Sequence, residues 1–496
     1  MPFHNILSSF YADSLALLTD MYQLTMSYGY WKAGLDKKEA VFHLFFRKHP
    51  FQGGFTIAAG LENAIEYLDN FRFAEEDIAY LRSLKDSNNA QLFEEPFFSY
   101  LKELRFSCDV DAMPEGSVAF PYQPLIRVQG PLIQCQLLES PLLNLINFPT
   151  LIATKAARIC LAAKEDSVFE FGMRRAQGID GALTASRAAY LGGCVGTSNL
   201  LAGKLYHLPM RGTQSHGWIM VFEEEWEAFD TYAKVFPGNS IFLVDTYNSL
   251  EGVRKAIEIG KRMQSAGQRM LGIRLDSGDL TYLSIKSRAL LDAAGFHDAK
   301  IVASNELDET LISELKRQGA KIDLWGVGTH LATGGSQASL DGVYKLSAIR
   351  DPKGPWRYKL KLSEQMAKVS NPGILQVRRF YQENGSSADL LYDTEIGAPQ
   401  DPILVNPLDP THEKRIKKSL EFKDLLQPIF RNGKLVYTLP DLPSIRASVK
   451  RELATFPNGI KRFLNPHEYP SGMEKTLYQL KRDLITNIRT QSDASI

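Results

Sequence analysis

The hexapeptide Arg211-Gly212-Thr213-Gln214-Ser215-His216 sets small residues, hydroxyls, a fixed positive charge and an imidazole between two apolar segments. Glycine lets backbone approach a ligand closely, hydroxyls and free N–H groups hold phosphate or carboxylate oxygens, and histidine changes charge near neutral pH. The chemistry this suits is an anion site in which His216 acts as nucleophile or proton carrier. The plainer reading is a histidine that ends the turn before Trp218-Ile219-Met220-Val221-Phe222. A second cluster, Arg274-Leu275-Asp276-Ser277-Gly278-Asp279, puts two carboxylates around a Ser-Gly pair just after an apolar run. Asp276 and Asp279 can face sugar hydroxyls or a hydrated Mg²⁺, which proteins hold through one or two carboxylates plus the phosphates of its ligand. Arg274 offers a planar fork for carboxylate or phosphate. Against this stands an ordinary turn in which Asp279 caps the next helix.

Two further stretches carry the same kind of signal. Gly326-Val327-Gly328-Thr329, with Gly334-Gly335 close behind, is a glycine-rich strand exit whose N–H groups can cradle a terminal phosphate at a helix N-terminus. Phe171-Gly172-Met173-Arg174-Arg175 sets paired arginines after a strand, and one of them facing a pocket would neutralise an anionic substrate in bidentate geometry. Both patterns also occur in ordinary loops and on barrel rims. The sequence contains no direct metal-ligand motif: Cys108, Cys135, Cys160 and Cys194 are far apart and form no C-x-x-C pair.

These residues have to be positioned by regular elements. Short apolar runs end in polar residues five times: Ser167–Phe171 into Gly172, Ile241–Val244 into Asp245, Met270–Arg274 into Asp276, Lys300–Ala303 into Ser304-Asn305-Glu306, and Ile322–Trp325 into Gly326. Amphipathic stretches at 249–265, 280–294 and 308–318 fall between them, so the pattern predicts repeating β–α units with parallel strands. A doubly wound sheet and a β/α barrel share that pattern. Functional residues following five different strands favour the barrel, whose sites are assembled at the C-terminal strand ends. Gly342–Ile349 reads as the last strand of the same unit.

The first block is mixed α and β: a helix over 13–33 containing Tyr22, a strand over 41–46, helices over 58–71 and 75–85, and short strands between 112 and 136. A buried helix or helical pair is expected over 141–165. Beyond 350, Asn384-Gly385 marks a hairpin between 377–383 and 388–392. Pro399, Pro402, Pro407 and Pro410 suggest a loop-rich connection, and 442–482 reads as mostly helical.

With 57 basic and 57 acidic residues the 496-residue chain is formally neutral, which argues against a partner held by counterion release, so no nucleic acid is expected. No run approaches the roughly 20 consecutive apolar residues that span a bilayer. The N-terminus lacks a basic region followed by a long apolar one. A reduced, cytoplasmic setting without membrane attachment is the expectation.

Taken in order, Asp20-Met21-Tyr22-Gln23-Leu24-Thr25-Met26, Glu170–Gly178, Arg211–His216, Arg274–Asp279, Gly326–Thr329 and Asn465-Pro466-His467-Glu468-Tyr469-Pro470 resemble the nicotinate phosphoribosyltransferases over nearly the whole chain. The resemblance implies an α/β fold: an irregular β/α barrel with a second, smaller α/β domain built from the N-terminal block and C-terminal tail. The corresponding limits are 1–140 for the N-terminal domain, 141–350 for the barrel and 351–496 for an accessory region packing on the first. It implies ATP-dependent condensation of nicotinate with 5-phosphoribosyl 1-pyrophosphate (PRPP) to nicotinate mononucleotide and pyrophosphate, within NAD biosynthesis. Mg²⁺ or Mn²⁺ would accompany the pyrophosphate and ATP would be a co-substrate. A homodimer with the active site at its interface is implied, Tyr22 stacking on the pyridine ring from the neighbouring subunit.

By the same resemblance His216 is the histidine phosphorylated by ATP, and Asp276 is its catalytic companion. Tyr22, Met173, Arg174, Thr213 and Arg274 would contact nicotinate; Asp276, Ser277, Gly278, Asp279, Gly326, Gly328 and Thr329 would bind PRPP. The chain departs from the family where Ser215-His216-Gly217 replaces the frequent Ala-His-Ser, which removes a neighbouring hydroxyl that would help fix the imidazole. The rival readings are a nicotinamide- or quinolinate-specific relative, a catalytically idle binding protein on the same fold, and a phosphohistidine carrier.

Overall fold

The strand Glu39–Phe46 shows how the first block forms. Its sequence EAVFHLFF is almost wholly aromatic or apolar, and every residue after Glu39 is buried. Such a run belongs in the interior of a sheet, and antiparallel partners flank it on both sides: Gly342–Arg350 and Ile126–Pro131. The computed structural model describes residues 14–493 except 366–367 and 384, together with Leu7 and Tyr11. Within them the chain divides into two units, one of residues 1–151 with 339–496 and the other of residues 152–338.

The first unit holds a seven-stranded sheet in the order Arg357–Tyr358, Gly342–Arg350, Glu39–Phe46, Ile126–Pro131, Asp109–Ala112, Gln427–Arg431 and Lys434–Leu435. A second sheet of six strands contains the hairpin Leu375–Gln382/Gly385–Asp393 and the strand Ser471–Glu474. The hairpin lies where the sequence predicts it, although Asn384 of its turn falls outside the described residues. Phe42, Phe46, Phe93, Phe97, Phe98 and Phe430 dominate the core, each worth about 1.5–3 kcal/mol on burial.

Arg379 is buried in this unit with no exposed side-chain area. It donates to Asp389 Oδ1 at 2.8 Å and Oδ2 at 2.6 Å, to Glu452 Oε1 at 2.6 Å and to the Val118 carbonyl at 2.7 Å. A buried guanidinium is tolerated only when paired and hydrogen-bonded in this way.

Four sequence expectations change here. The helix expected over 13–33 starts at Met21, because Asp20 is extended (φ −78°, ψ 149°) and residues 15–18 form a turn. Asp20 Oδ2 instead accepts the Ser140 hydroxyl at 2.5 Å, and short acidic side chains that find such partners favour positions before a helix over its interior. Gly342–Arg350 is not the last strand of the parallel unit: it pairs antiparallel along the whole of Glu39–Phe46. Its burial is intermittent, whereas strands covered on both faces are buried almost continuously. The proline-rich stretch near 400 forms the hairpin Ile403–Asn406/Asp409–Arg415. Pro402 and Pro407 flank its first strand, and Pro410 lies in the outermost strand of the sheet, where a missing N–H is harmless. The expected helical tail resolves into Leu442–Ala454 and Lys475–Asp493, separated by the strand Ser471–Glu474.

The helix Glu139–Ala163 is single and continuous through Pro149. It is long and apolar enough to cross a membrane, but 78% of its most apolar stretch is buried inside the protein, as in a core helix.

The second unit is α/β. Its six strands are all parallel, in the order Gly196–Thr197, Ser167–Glu170, Leu324–Val327, Lys300–Ala303, Gly272–Leu275 and Ile241–Leu243. Helices Gly178–Gly192, Ser249–Ser265, Leu280–Ala293 and Glu309–Arg317 connect them. Three of these helices begin on side-chain caps that the sequence advertises: Asn248 accepts from Glu251 N–H, Asp279 from Tyr282 N–H and Asp308 from Leu311 N–H. Each cap follows a strand within a few residues, so it also fixes where the intervening turn points.

Glu309 ties the helix behind one of these turns into the core. It pairs with Lys155 Nζ at 2.6 Å and accepts from Arg158 Nε at 2.8 Å, with all three side chains at most 7% exposed. Burial raises the carboxyl, but Lys155 and Arg158 outweigh it and hold Glu309 below its ordinary value. Glu309→Gln removes the charge that neutralises two buried cations and is expected to cost about 3–5 kcal/mol at pH 7. A carboxyl depressed in the folded state contributes fully above its unfolded value and loses that contribution as pH falls through the folded one. The gap between wild type and variant in urea unfolding therefore closes below about pH 4. A gap that stays constant down to pH 3 would contradict this assignment.

Candidate active site

Because all six strands are parallel, their carboxyl ends share one edge of the sheet. Neighbouring exits on that edge are Thr197, Glu170–Gly172, Gly328–Thr329, Ser304–Glu306, Asp276–Asp279 and Asp245–Thr246, in sheet order. The candidate residues meet there through bonds between adjacent exits.

Arg274, on the strand Gly272–Leu275, second from the side of the sheet opposite Gly196–Thr197, is the hub. Its Nε donates to Ser304 Oγ at 2.8 Å, Nη1 to Thr213 Oγ1 at 3.1 Å and to the Gln214 carbonyl at 3.4 Å, and Nη2 to Asp276 Oδ1 at 2.8 Å. The Ser304 hydroxyl also donates to Asp276 Oδ1. Burial raises the Asp276 carboxyl, yet the Ser304 hydrogen bond, the Arg274 charge and His216 outweigh it, so Asp276 sits below the usual carboxylate range. It is an anion at neutral pH. Its Oδ2 faces His216 Nε2 at 3.6 Å.

His216 opens the single-turn helix His216–Met220, which is anchored by Trp218 Nε1 donating to the Ala228 carbonyl at 3.2 Å. The other ring nitrogen, Nδ1, lies 3.1 Å from Thr246 Oγ1. Asp245, next to that threonine, accepts the Asp276 N–H at 2.8 Å and the Ser277 hydroxyl at 2.7 Å on Oδ2, while its Oδ1 is buried with no hydrogen-bond partner among the described residues. Gly278 has φ +78°, a left-handed conformation that lets the chain turn sharply after Ser277. Asp279 Oδ1 accepts the Tyr282 N–H at 2.9 Å and caps the following helix, the plainer of its two sequence readings.

The glycine-rich exit lies on the next strand but one. A side chain at Gly326 would collide with the Phe171 ring at 2.6 Å, and one at Gly172 with Ala332 at 2.3 Å and the Gly328 carbonyl at 2.7 Å. These glycines let two loop backbones touch. Thr329 Oγ1 donates to Glu306 Oε1 at 3.3 Å, and Glu306 Oε2 pairs with His330 Nε2 at 3.4 Å. Asn305, before Glu306, has φ +116°, a strained backbone of the kind that concentrates at functional sites.

Met173 and Arg174 form a 3₁₀ turn with Arg175, and all three are exposed. The Arg174 guanidinium has no hydrogen-bond or ion-pair partner among the described residues. Tyr22 belongs to the other unit, on the helix Met21–Lys32, and is 48% exposed.

The fold thus joins Thr213, Arg274, Asp276 and, through Asp245, Ser277 into one hydrogen-bonded group that His216 faces at 3.6 Å, with Gly326, Gly328 and Thr329 nearby on the same edge and Met173 and Arg174 beyond them. Sequence reasoning missed the part played by Thr246 and Ser304. Ser304 directly follows its strand and Thr246 lies three residues past the end of Ile241–Leu243, and that position was their only available signal. It also missed Glu170, whose buried carboxylate accepts from Gly172 N–H, Ser186 Oγ at 2.8 Å and Thr197 Oγ1 at 2.6 Å and so ties three segments at the strand ends.

Comparison with known proteins gives a consistent result. The nicotinate phosphoribosyltransferase N-terminal domain matches residues 17–147, the nicotinate phosphoribosyltransferase family model 167–350 and the corresponding C-terminal domain 375–481. The chain is 40% identical over 491 residues to nicotinate phosphoribosyltransferase of Bacillus subtilis (strain 168), covering 98% of both chains. It is 34% identical over 531 residues to that of Homo sapiens, covering 95% of this chain and 97% of the other. The crystal structure of human nicotinic acid phosphoribosyltransferase matches with a TM-score of 0.81 and 32% identity, covering 94% of this chain and 99% of that one. The chain belongs to the nicotinate phosphoribosyltransferase family and is an enzyme of the transferase class.

Proposed function

We propose that the enzyme is an ATP-dependent nicotinate phosphoribosyltransferase that condenses nicotinate with PRPP to nicotinate mononucleotide and pyrophosphate, for NAD biosynthesis, with His216 as a transient phosphohistidine. The observation that carries this reading is the pairing of His216 Nε2 with an ionised Asp276 at 3.6 Å on the strand-exit edge. An imidazole held beside a carboxylate, close to hydroxyls and glycine-rich turns, suits phosphoryl chemistry better than structural support.

In the transfer step the lone pair of the pyridine nitrogen attacks the anomeric carbon of PRPP, and the bond from that carbon to pyrophosphate breaks, its electrons leaving with the pyrophosphate. The protein's part is positioning and charge stabilisation. The fixed hydrogen bonds of Asp276 and Ser277 orient them toward ribose hydroxyls. The turn N–H groups of Gly326, Gly328 and Thr329 would take the 5′-phosphate, with the Thr329 hydroxyl exchanging Glu306 for a phosphate oxygen. Arg174, exposed and without a hydrogen-bond or ion-pair partner among the described residues, would be the cation for the nicotinate carboxylate; Met173 and Tyr22 would pack on the ring, Tyr22 from the neighbouring subunit of a homodimer.

Mg²⁺ or Mn²⁺ fits as a companion of pyrophosphate and not as a caged ion. Among the described residues no group of three or more His, Cys, Asp or Glu side chains could hold a metal. Asp245 Oδ1, without a hydrogen-bond partner among the described residues, and Asp276 Oδ2, which faces His216, would be the carboxylate oxygens for a substrate-bound ion, which would neutralise the charge of the departing pyrophosphate. We place the enzyme in the cytoplasm, where its four free cysteines stay reduced, with no nucleic-acid or membrane partner. The limits 1–140, 141–350 and 351–496 remain our proposal for its functional domains.

A nicotinamide- or quinolinate-specific relative is tested in the same assay. Wild type and His216→Ala are incubated with PRPP, Mg²⁺ and each of nicotinate, nicotinamide and quinolinate, with and without ATP, and nucleotide is quantified by mass spectrometry. Nicotinate mononucleotide should dominate, with an ATP stimulation that His216→Ala loses. Preference for another pyridine would overturn the substrate assignment, and no nucleotide from any of them would bring forward an idle binding protein or a simple phosphohistidine carrier.

Two variants separate binding from catalysis. Arg174→Met should raise the KM for nicotinate about tenfold or more, the loss of one charge-assisted hydrogen bond, while leaving the KM for PRPP within about twofold. Asp276→Asn should lower kcat/KM by roughly 10²–10³, as removal of a fixed charge-stabilising group does. An unchanged KM for nicotinate in the first, or unchanged kcat/KM in the second, would remove that residue from its assigned role.

A further inference from the structure

The imidazole of His216 is approached at its two nitrogens by different strand exits. Asp276 Oδ2 stands 3.6 Å from Nε2, beyond hydrogen-bonding distance, and Thr246 Oγ1 stands 3.1 Å from Nδ1, within it. Thr246 directly follows Asp245, and the two residues divide one task. Asp245 Oδ2 holds the turn that carries Asp276, through the Asp276 N–H at 2.8 Å and the Ser277 hydroxyl at 2.7 Å. Thr246 holds the ring that faces it. One dipeptide after the strand Ile241–Leu243 therefore sets the separation and orientation of both groups. No help comes from the residue after the histidine, because Gly217 has no side chain.

We infer that Thr246 is a positioning residue for His216: its hydroxyl oxygen accepts the Nδ1–H, which leaves the lone pair on Nε2 and makes Nε2 the nitrogen that takes the phosphoryl group. This deepens the proposed phosphohistidine function and rests on it. A neutral imidazole carries a proton on one nitrogen and a lone pair on the other, and the hydrogen bond made by one nitrogen decides the role of the other. Nδ1 faces a hydroxyl in a bonded position. Nε2 faces the Asp276 turn across a gap, on a side chain that is 39% exposed, so that is the edge a nucleoside triphosphate can reach.

In the step so directed, the Nε2 lone pair attacks the γ-phosphorus of ATP and forms the N–P bond. The bond from that phosphorus to the β-bridging oxygen breaks, and ADP leaves with its electron pair. The proton on Nδ1 remains there, and the positive charge gained by the ring is shared with Thr246 Oγ1. Rotating the ring by half a turn would break the Thr246 contact and bring Nδ1 to the Asp276 side, so the threonine also keeps the ring from presenting the wrong nitrogen.

The test uses the full-length enzyme with [γ-³²P]ATP and Mg²⁺, in wild type, Thr246→Ser, Thr246→Val, Thr246→Ala and His216→Ala. The readouts are the rate of acid-labile labelling and the phosphohistidine isomer, assigned by ³¹P NMR after denaturation in alkali; thermal melting shows which variants are folded. Wild type and Thr246→Ser should label at Nε2. Thr246→Val, or Thr246→Ala if the valine variant does not fold, should label about tenfold more slowly or give a mixture of isomers, the effect of losing one orienting hydrogen bond. Wild-type label on Nδ1, or equal rates and the same isomer in Thr246→Val or Thr246→Ala and in wild type, would overturn the role given to Thr246. Absence of any His216-dependent label from the wild type is a different failure, because it removes the phosphohistidine itself.

Discussion

The parallel register of six strands is the constraint on which the rest of this site depends. It brings six strand exits to one edge, so residues distant in sequence become neighbours without any long connection. The order of the strands then decides who meets whom. Asp245 reaches Asp276 because Ile241–Leu243 pairs with Gly272–Leu275, and Arg274 reaches Ser304 because Gly272–Leu275 pairs with Lys300–Ala303. Gly172 lies against Gly328 because Ser167–Glu170 pairs with Leu324–Val327.

On that edge electrostatics and packing have separate tasks. Arg274 is 14% exposed and makes four hydrogen bonds, so its charge serves chiefly to hold Thr213, Ser304 and Asp276 in place. Arg174, with no hydrogen-bond or ion-pair partner among the described residues, is the cation we propose for the substrate. Buried pairs behind the loops, such as Glu309 with Lys155 and Arg158, keep the helices that carry the turns from shifting. The glycines at 172 and 326 belong to the packing side of this division, since their lack of a side chain is what permits the loops to close on each other.

Much of this was legible in the sequence, for reasons that differ between residues. The helix 249–265 and the strand 300–303 follow from unbroken periodicity and clear ends, and they occur as read. The candidate chemistry was visible because Arg274–Asp279 and Arg211–His216 concentrate polar types that a core segment has no use for. Gly342–Arg350 misled because its composition suits any strand, and only tertiary pairing decides which sheet it joins. The prolines near 400 read as loop formers, yet an outer strand accommodates them. Thr246 and Ser304 were invisible because a single hydroxyl after a strand has no distinguishing pattern; its meaning lies in the neighbour that the sheet supplies. The resemblance to a known family named His216 and Asp276, but the distance between them and the residues that set it came only from the fold.

The proposed function requires that phosphate on His216 be consumed in making nicotinate mononucleotide. A pulse-chase measures this directly: the enzyme is labelled with [γ-³²P]ATP, freed of nucleotide, and then given PRPP, Mg²⁺ and nicotinate while bound label, released phosphate and product are followed together. Label should leave His216 as inorganic phosphate in step with the appearance of nicotinate mononucleotide, and stay bound when nicotinate and PRPP are both withheld. Product formed while the label remains on the protein would contradict it.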